Sequence, residues 1–320
     1  MPVVARHAGV PICKVVVSGL TAPLSYDGSM PNRFLVVVRA GDQSLHARWT
    51  RSLATRDWDL VVSYFGDDPE RFRDAGCERF DDKGPKLRGL HALLTRKDFW
   101  RRYDYVFLPD DDLAIEQTTI SRLFARAASL DLELCQPALS WSSYYCHAIT
   151  VCHPSFTLRF TDFVETMAAC FSRRHLERCL PTFAETVAGW GFDWVWPRMA
   201  LSNAPNVAIV DECAVTHTRR YGGPNYAWLR ESGEGPGDER NRVLGSRGIP
   251  VGQVPRVLAA IDRDGRRLHA DDPQEATTLG ALCQHDWLDF IASRRRLDTP
   301  AITLQVAAWG KQASQLHGKP

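Results

Sequence analysis

Apolar runs that end in polar turns recur along the first half of the chain. Each run is four to eight residues long and is rich in Val, Leu and aromatic side chains, which is typical of strands buried on both faces. We predict four such strands, "RFLVVV" at 33–38, "DLVVSYFG" at 59–66, "YDYVFL" at 103–108 and "LELCQPAL" at 132–139.

Stretches with helical spacing separate these runs. In "SLHARWTRSLA" at 44–54, Leu45, Trp49 and Leu53 recur every four residues and predict one helical face. "KGPKLRGLHALLTRKDFW" predicts a loop that enters a helix, and "TTISRLFARAASL" predicts a helix capped by Thr118 or Thr119. The strand and helix alternation predicts an α/β fold with a mixed, Rossmann-like sheet flanked by helices.

The remaining segments do not show this regular alternation of strands and helices. "NVAIVD" at 206–211 predicts a short strand, and the Gly-, Glu- and Arg-rich segment that follows Arg220 predicts a mobile loop. Residues 1–32 contain one strand candidate, Val15 to Ser18, and the C-terminal tail contains one helical stretch, "LGALCQHDWLDFIASRRR".

Charge and composition exclude some classes of partner. With 39 Lys and Arg against 38 Asp and Glu, the net charge of +1 gives no basic excess for a nucleic-acid backbone. We find no window of about eighteen apolar residues, and Lys14 interrupts the first apolar stretch, so we expect a cytoplasmic protein without a transmembrane segment. The nine cysteines are scattered singly in apolar settings, which favours reduced, buried thiols.

One cluster, "CHAITVCHP", pairs Cys146 with His147 and Cys152 with His153. If the segment is extended, the two thiols lie roughly 20 Å apart, at about 3.3 Å per residue. A single zinc ion cannot bridge that distance. We therefore favour a strand with buried thiols and one or two substrate-facing histidines over a structural zinc site.

Three consecutive carboxylates, Asp110, Asp111 and Asp112, follow the strand at 103–108. Like charges at this spacing are tolerated in water, at a helix start or around a cation. At an extended strand end, Asp110 and Asp112 share a face and Asp111 points away. This arrangement suits Mg²⁺ or Mn²⁺ on a diphosphate, and the alternative is a solvated loop that caps the next helix.

Two later segments carry further candidates. "GWGFDW" places Asp193 among aromatic residues, which would raise its pKa toward the range of a general base; the alternative is a helix-capping aspartate. "VTHTRR" places His217 beside Arg219 and Arg220, as a third metal ligand and two phosphate-binding groups or as ordinary structural residues.

The order of these features resembles the GT-A glycosyltransferase fold, and residues 83–217 resemble domain of unknown function 707, a GT-A-like family. The motifs that carry the resemblance are "YDYVFLPDDDLAIE", "LCQPALS", "HAIT", "FVETMAACFSR", "GWGFDW" and "VAIVDECAVTHT". The chain has Pro109 and Asp111 where that family's acidic box usually has Trp and Glu. The predicted metal pair is unaffected by this difference.

The resemblance implies a metal-dependent glycosyltransferase that moves a sugar from a nucleotide diphosphate donor to an acceptor hydroxyl. Asp110, Asp112 and His217 would hold Mn²⁺ or Mg²⁺. Asp193 is the expected base if the reaction inverts, and Glu165 is the second candidate. The phosphate-binding candidates in the donor site are Lys83, Lys86, Arg219 and Arg220, beside Asp110.

Glu165 has two alternative roles, binding of acceptor hydroxyls or an ion pair with Arg159 or Arg173. Two other functions also remain open for the chain as a whole. One is a metal-dependent phosphoryl or nucleotidyl transferase, and the other is a non-catalytic protein that binds carbohydrate or nucleotide sugar through a relic site.

We predict three parts of the chain. Residues 1–32 form a lead-in. Residues 33–225 form the GT-A-like catalytic domain, with a nucleotide-binding half at 33–116 and an acceptor half at 117–225. Residues 226–320 form a mobile loop and a C-terminal helical extension.

Overall fold

A computed structural model of the chain describes residues 32–50, 55–73, 76–220 and 222–285. The strand candidate at 15–18 and the part of the predicted C-terminal helix beyond residue 285 lie outside the described residues. In the described residues, no helix is both long and apolar enough to span a membrane.

One mixed sheet organises the described residues, and the predicted α/β fold class is confirmed. In spatial order its strands are β11, β10, β7, β9, β6, β8, β4, β1, β2 and β3, and β5 pairs with β9. Their bounds are β1 Phe34–Ala40, β2 Asp59–Tyr64, β3 Glu78–Asp81, β4 Tyr105–Pro109, β5 Leu113–Ala114, β6 Leu134–Leu139, β7 Phe156–Thr161, β8 Ala168–Ser172, β9 Val207–His217, β10 Val257–Asp262 and β11 Arg267–His269.

Strand direction decides which chain segments meet at the site. Strands β1, β2, β3 and β4 are parallel, and β8 runs antiparallel between β4 and β6. Strand β9 is parallel to β6, so it runs in the direction of β4. The carboxyl ends of β1, β2, β4 and β9 therefore lie at one edge of the sheet. The four strands predicted from apolar runs correspond to β1, β2, β4 and β6.

Helices cover the sheet. Their bounds are α1 Lys86–Arg96, α2 Gln117–Ser129, α3 Arg173–Cys179, α4 Phe192–Arg198, α5 Pro224–Glu231, α6 Pro236–Gly245 and α7 Pro273–His285. Leu87, Leu90, Leu93 and Leu94 form the buried face of α1 at helical spacing. Helices α1 and α2 confirm the two helices predicted after residues 83 and 117.

The helix predicted over 44–54 is wrong within the described residues. Only a short 3₁₀ helix, His46–Arg48, forms there, and Leu53 lies outside the described residues. The Leu45 amide donates to the Asp111 carbonyl (2.7 Å), and the Trp49 indole donates to the Leu113 carbonyl (2.8 Å). These hydrogen bonds tie the segment to the loop after β4.

Two local predictions also need correction. Helix α2 has Glu116 at its N-cap, so Thr118 and Thr119 lie inside the first turn. The segment between Cys146 and Cys152 is not extended, because residues 148–150 form a 3₁₀ helix.

The Gly-rich segment predicted as a loop contains α5 and α6. Each helix begins with Pro directly after Gly. Proline at the first helical position is favourable because its missing N–H needs no partner there.

The described cysteines are free thiols, and Cys13 lies outside the described residues. Five of them are buried, Cys135, Cys170, Cys179, Cys213 and Cys283.

Candidate functional site

A cavity of about 210 Å³ lies at the sheet edge where the parallel strands end. Ligands of open α/β sheets bind in this position because loops from several strands converge there. Most of the predicted site residues line the cavity, namely Lys86, Asp110, Asp112, Glu165, Asp193, His217, Arg219 and Arg220. Strand β4 supplies the carboxylates at its end, and β9 ends at His217.

Each of the three consecutive aspartates faces a different cation. Asp110 pairs with Lys86 Nζ at 2.6 Å, Asp111 lies 3.5 Å from Arg219 Nη1, and Asp112 lies 3.4 Å from His217 Nε2. The separate partners offset the mutual repulsion of the carboxylates.

Burial raises the pKa of Asp110 above its ordinary value, and the neighbouring Lys86 charge opposes this effect. Burial likewise raises the pKa of Asp111 to about 6. Asp111 was expected to point away, but it also lines the cavity, where its Oδ2 accepts from the Gly41 amide at 2.8 Å.

His217 is held in a defined orientation beside Asp112. Its Nδ1 donates to the Tyr144 carbonyl at 2.8 Å, which leaves Nε2 facing the Asp112 carboxylate. Burial acts to lower the pKa of His217, but the hydrogen bond and charge of Asp112 outweigh it and raise the pKa to about 9. The second oxygen, Asp112 Oδ1, is buried and has no hydrogen-bond partner among the described residues.

These residues fit a divalent cation that is shared with a ligand. In the described part of the chain, no group of three or more His, Cys, Asp and Glu side chains is arranged to hold a metal. The partnerless Asp112 Oδ1 and the oriented His217 Nε2 nevertheless provide one oxygen and one nitrogen donor. Mg²⁺ is commonly held by one or two carboxylates together with substrate phosphates, so such a site need not be complete in the protein alone.

Asp193 and Glu165 form a second acidic group in the cavity. Asp193 lies in the first turn of α4, whose N-cap is Gly191, and its Oδ1 accepts from the Thr166 amide at 2.8 Å. Burial raises the pKa of Asp193 to about 7. Burial, and then the Asp193 charge, raise the pKa of Glu165 to about 8.

Glu165 Oε2 is buried and has no hydrogen-bond partner within the part of the chain that the structure describes. Its two candidate ion-pair partners are engaged elsewhere. Arg159 pairs with Asp211 at 2.8 Å, and Arg173 donates to the Arg101 carbonyl at 2.9 Å.

The predicted phosphate-binding cations divide into two groups. Lys86, Arg219 and Arg220 line the cavity. Lys83 does not belong to the lining, and its ammonium donates to the Phe65 carbonyl (2.8 Å) and pairs with Asp67 (2.7 Å).

Arg39 is a lining residue that the sequence analysis missed. It is 3% exposed and donates to Ser63 Oγ (2.9 Å) and to the Gly84 carbonyl (2.6 Å). Burial lowers the pKa of Arg39 to about 10. A Cβ at Gly89 of α1 would lie 2.5 Å from Arg39 Cζ, so this glycine makes room for the guanidinium. The sequence signal that could have identified Arg39 as a site residue is its position inside an otherwise apolar strand.

Helix α5 forms one wall of the cavity. The sequence did not predict this helix. Tyr226 packs against Trp190 with ring centroids 6.4 Å apart, and Trp228 packs against Phe65 at 6.1 Å. Asn225 Oδ1 accepts from the Lys86 amide (3.1 Å) at the start of α1.

Of the two histidines considered as substrate-facing, His147 lines the cavity. His153 is 1% exposed and is not a lining residue.

A family model matches the segment that supplies most of the residues lining this cavity; Arg39, Phe65, Gly84 and Lys86 lie outside the matched segment. Residues 93–243 match the model of the family described as protein of unknown function (DUF707). The match confirms the resemblance to DUF707 inferred from the sequence motifs. It includes the acidic triplet, Glu165, Asp193 and His217, and it extends beyond the predicted acceptor half into α6. No curated protein matches the chain.

Several solved structures are similar to the chain. TarS from S. aureus, in complex with UDP-GlcNAc, is 13% identical with a TM-score of 0.42, and the match covers 60% of each chain. The chain thus spans about three fifths of that TarS structure. Glucosyl-3-phosphoglycerate synthase from Mycobacterium tuberculosis, in complex with Mn²⁺, UDP-glucose and phosphoglyceric acid, is 16% identical with a TM-score of 0.43, covering 70% of this chain and 82% of that one.

Proposed function

We propose that the protein is a metal-dependent glycosyltransferase that moves a sugar from a nucleotide diphosphate donor to an acceptor hydroxyl. The observation that carries the proposal is the composition of the cavity. It combines a carboxylate with a partnerless oxygen beside an oriented imidazole, several cations, and two buried carboxyl groups of raised pKa. These three kinds of group suit the transfer of a sugar from a diphosphate leaving group to a neutral hydroxyl nucleophile.

The donor side uses the residues at the ends of β4 and β9. Asp112 and His217, with Asp110 beside them, would hold Mn²⁺ or Mg²⁺, which supplies Lewis-acid stabilisation to the leaving diphosphate. His217 must lose its proton to become a ligand, so a proton leaves the site when the cation binds. Arg39, Lys86, Arg219 and Arg220 would contact the phosphate oxygens.

The acceptor side uses Asp193 and Glu165. In an inverting reaction, the acceptor oxygen forms a bond to the anomeric carbon and the bond from that carbon to the phosphate oxygen breaks. The electron pair leaves with the nucleoside diphosphate, and the acceptor proton passes to the Asp193 carboxylate. Glu165, whose pKa is about 8, is mostly protonated at pH 7 and would donate a hydrogen bond to an acceptor oxygen.

A panel of nucleotide sugars tests the proposal directly. Donor hydrolysis and transfer to simple sugars would be measured with Mn²⁺, with Mg²⁺ and with chelator. We expect turnover of at least one nucleotide sugar, and we expect chelator to abolish it. Turnover of nucleoside triphosphates alone would instead identify a phosphoryl or nucleotidyl transferase. Donor binding without turnover of any donor would identify a binding protein with a relic site.

A melting experiment tests the donor site without catalysis. A nucleoside diphosphate at 100 times its dissociation constant stabilises the folded protein by about 2.7 kcal/mol. We expect this stabilisation with Mn²⁺ and much less with chelator. Equal stabilisation in both conditions would contradict a site shared between cation and phosphate.

A further inference from the structure

A buried glutamate on α6 holds the turn that leads to Asp193. Glu239 is 0% exposed, and its Oε1 accepts from the Val187 amide at 2.5 Å. Its Oε2 accepts from the Ala188 and Trp190 amides at 3.2 and 3.1 Å. One side chain thus satisfies three backbone amides of a single turn.

The turn itself has a backbone that few sequences can adopt. Gly189 and Gly191 have φ of +93° and +96°, in the left-handed region that favours glycine. The Gly189 amide donates to Thr186 Oγ1 at 2.8 Å, so successive amides are all directed at side-chain acceptors. Successive N–H groups in such a turn form an anion-binding concavity, which a carboxylate of the chain itself fills here.

The same turn is part of the cavity wall. Ala188, Gly189 and Trp190 line the cavity, and α4 begins directly afterwards with Asp193 in its first turn. Helix α6 also packs closely on the turn, since a Cβ at Gly191 would lie 3.0 Å from Val243 Cγ1. The position of Trp190 and Asp193 is thereby linked to a helix of the predicted C-terminal extension.

We propose that Glu239 is a positioning residue for the acceptor half of the site, a role that rests on the proposed transferase function. Its carboxylate fixes the 187–190 turn, and through that turn it sets the positions of Trp190 and Asp193. The proposed donor contacts come from β1, from α1 and from the ends of β4 and β9 with the residues that follow them, and the Glu239 hydrogen bonds described above reach none of these segments. Loss of Glu239 is therefore expected to impair transfer to the acceptor while donor binding is retained.

The variant Glu239→Gln keeps the size of the side chain but places an NH₂ donor against backbone N–H donors. We expect kcat for transfer to fall by roughly tenfold to a hundredfold, because a misplacement of about 1 Å can cost about a hundredfold in rate. The dissociation constant of donor with Mn²⁺, measured by calorimetry, should stay at the wild-type value.

Glu133→Gln is the matched control. Glu133 also accepts from several backbone and side-chain donors, including the Leu201 and Ser202 amides at 2.9 and 3.0 Å, but it does not line the cavity. We expect this variant to lower the melting temperature without lowering kcat.

A spectroscopic readout tests the proposal without any donor. The near-ultraviolet circular dichroism of Trp190 is isolated by subtracting the spectrum of Trp190→Phe, in the wild-type, Glu239→Gln and Glu133→Gln backgrounds. A fixed Trp190 gives a strong difference spectrum, which should weaken only with Glu239→Gln. If the wild-type protein transfers no sugar, the proposed function fails, and this spectrum still decides the role of Glu239.

Two results would overturn the proposal. One is a folded Glu239→Gln protein with wild-type kcat and a wild-type Trp190 difference spectrum. The other is loss of donor binding in that variant, which would place its effect on the whole site. If Glu239→Gln does not fold, Glu239→Asp, which keeps the charge with a shorter reach, is measured against the same criteria.

Discussion

Replacing Asp193 with Asn separates base catalysis from donor binding. The asparagine Oδ1 can still accept from the Thr166 amide, which lies 2.8 Å from Asp193 Oδ1, so the local fold should persist. The variant cannot take a proton from the acceptor. Loss of a general base typically lowers the rate by roughly a hundredfold to ten-thousandfold.

The pH dependence of kcat/KM gives a second, independent test of the assignment of Asp193 as the base. With a pKa of about 7, Asp193 changes from about one tenth ionised at pH 6 to about nine tenths at pH 8. Ionisation of Asp193 alone should therefore raise the kcat/KM of the wild-type protein about tenfold over this interval, and loss of the Glu165 proton near pH 8 should reduce the rise at its upper end. In Asp193→Asn the residual rate should not show this rise.

The assay is acceptor transfer at a series of pH values, with Mn²⁺ saturating at each one, because protonation of His217 competes with the cation. Glu165→Gln is the matched control, since it changes the neighbouring buried carboxyl group of the same cavity and should keep the rise through pH 7. Donor binding by Asp193→Asn is measured by calorimetry. The base assignment is wrong if Asp193→Asn keeps the wild-type pH profile, or if it folds normally and no longer binds donor.

Three further predictions follow from the charged groups. Asp112→Asn should lose Mn²⁺-dependent donor binding in calorimetry, and normal binding of donor and Mn²⁺ would contradict the cation assignment. Burial raises the pKa of Asp193 from 3.8 to about 7, so its stabilising contribution is complete below about pH 4 and is lost as pH rises through 7. Asp193→Asn should therefore be more stable than wild type at pH 8 by up to about 4 kcal/mol, but not at pH 4, and equal melting temperatures at pH 8 would count against this. Arg159→Met leaves Asp211 buried without its partner and should cost about 3 to 5 kcal/mol in urea unfolding, whereas a cost below about 1 kcal/mol would show that Asp211 is compensated elsewhere.

Local sequence signals predict the elements whose apolar residues follow a regular pattern. Strands β1, β2, β4 and β6 are continuous apolar runs, and the buried leucines of α1 recur at helical spacing. Strands β7 and β8 were not anticipated, although they are as long as β2 and β4, because each lies in a mixed aromatic and polar stretch. Helices α5 and α6 were not predicted, because their segment is rich in glycines and charged residues, which normally indicate a loop.

The residues of the candidate site also fall into two groups, those that the sequence predicts and those that it does not. The acidic triplet and His217 can be predicted from the sequence because each lies at a strand end, and parallel strands bring their ends together. Arg39 and Glu239 gain their roles only from distant partners. Arg39 depends on the space left by Gly89, and Glu239 depends on amides of the 187–190 turn. No short-range pattern encodes such pairings.

The position of β9 in the sheet has a consequence for how the chain folds during synthesis. This strand is late in the sequence, yet it pairs with β6 and β7 in the interior of the sheet and with β5 beside the acidic triplet. Until residues 207–217 leave the ribosome, β6 and β7 have unpaired edges, and exposed edges favour association with other chains. Pairing of Leu113 with His217 then brings the histidine to the acidic loop when β9 joins β6 and β7. A nascent chain therefore cannot bind a cation through Asp112 and His217 before β9 has taken its place between β6 and β7.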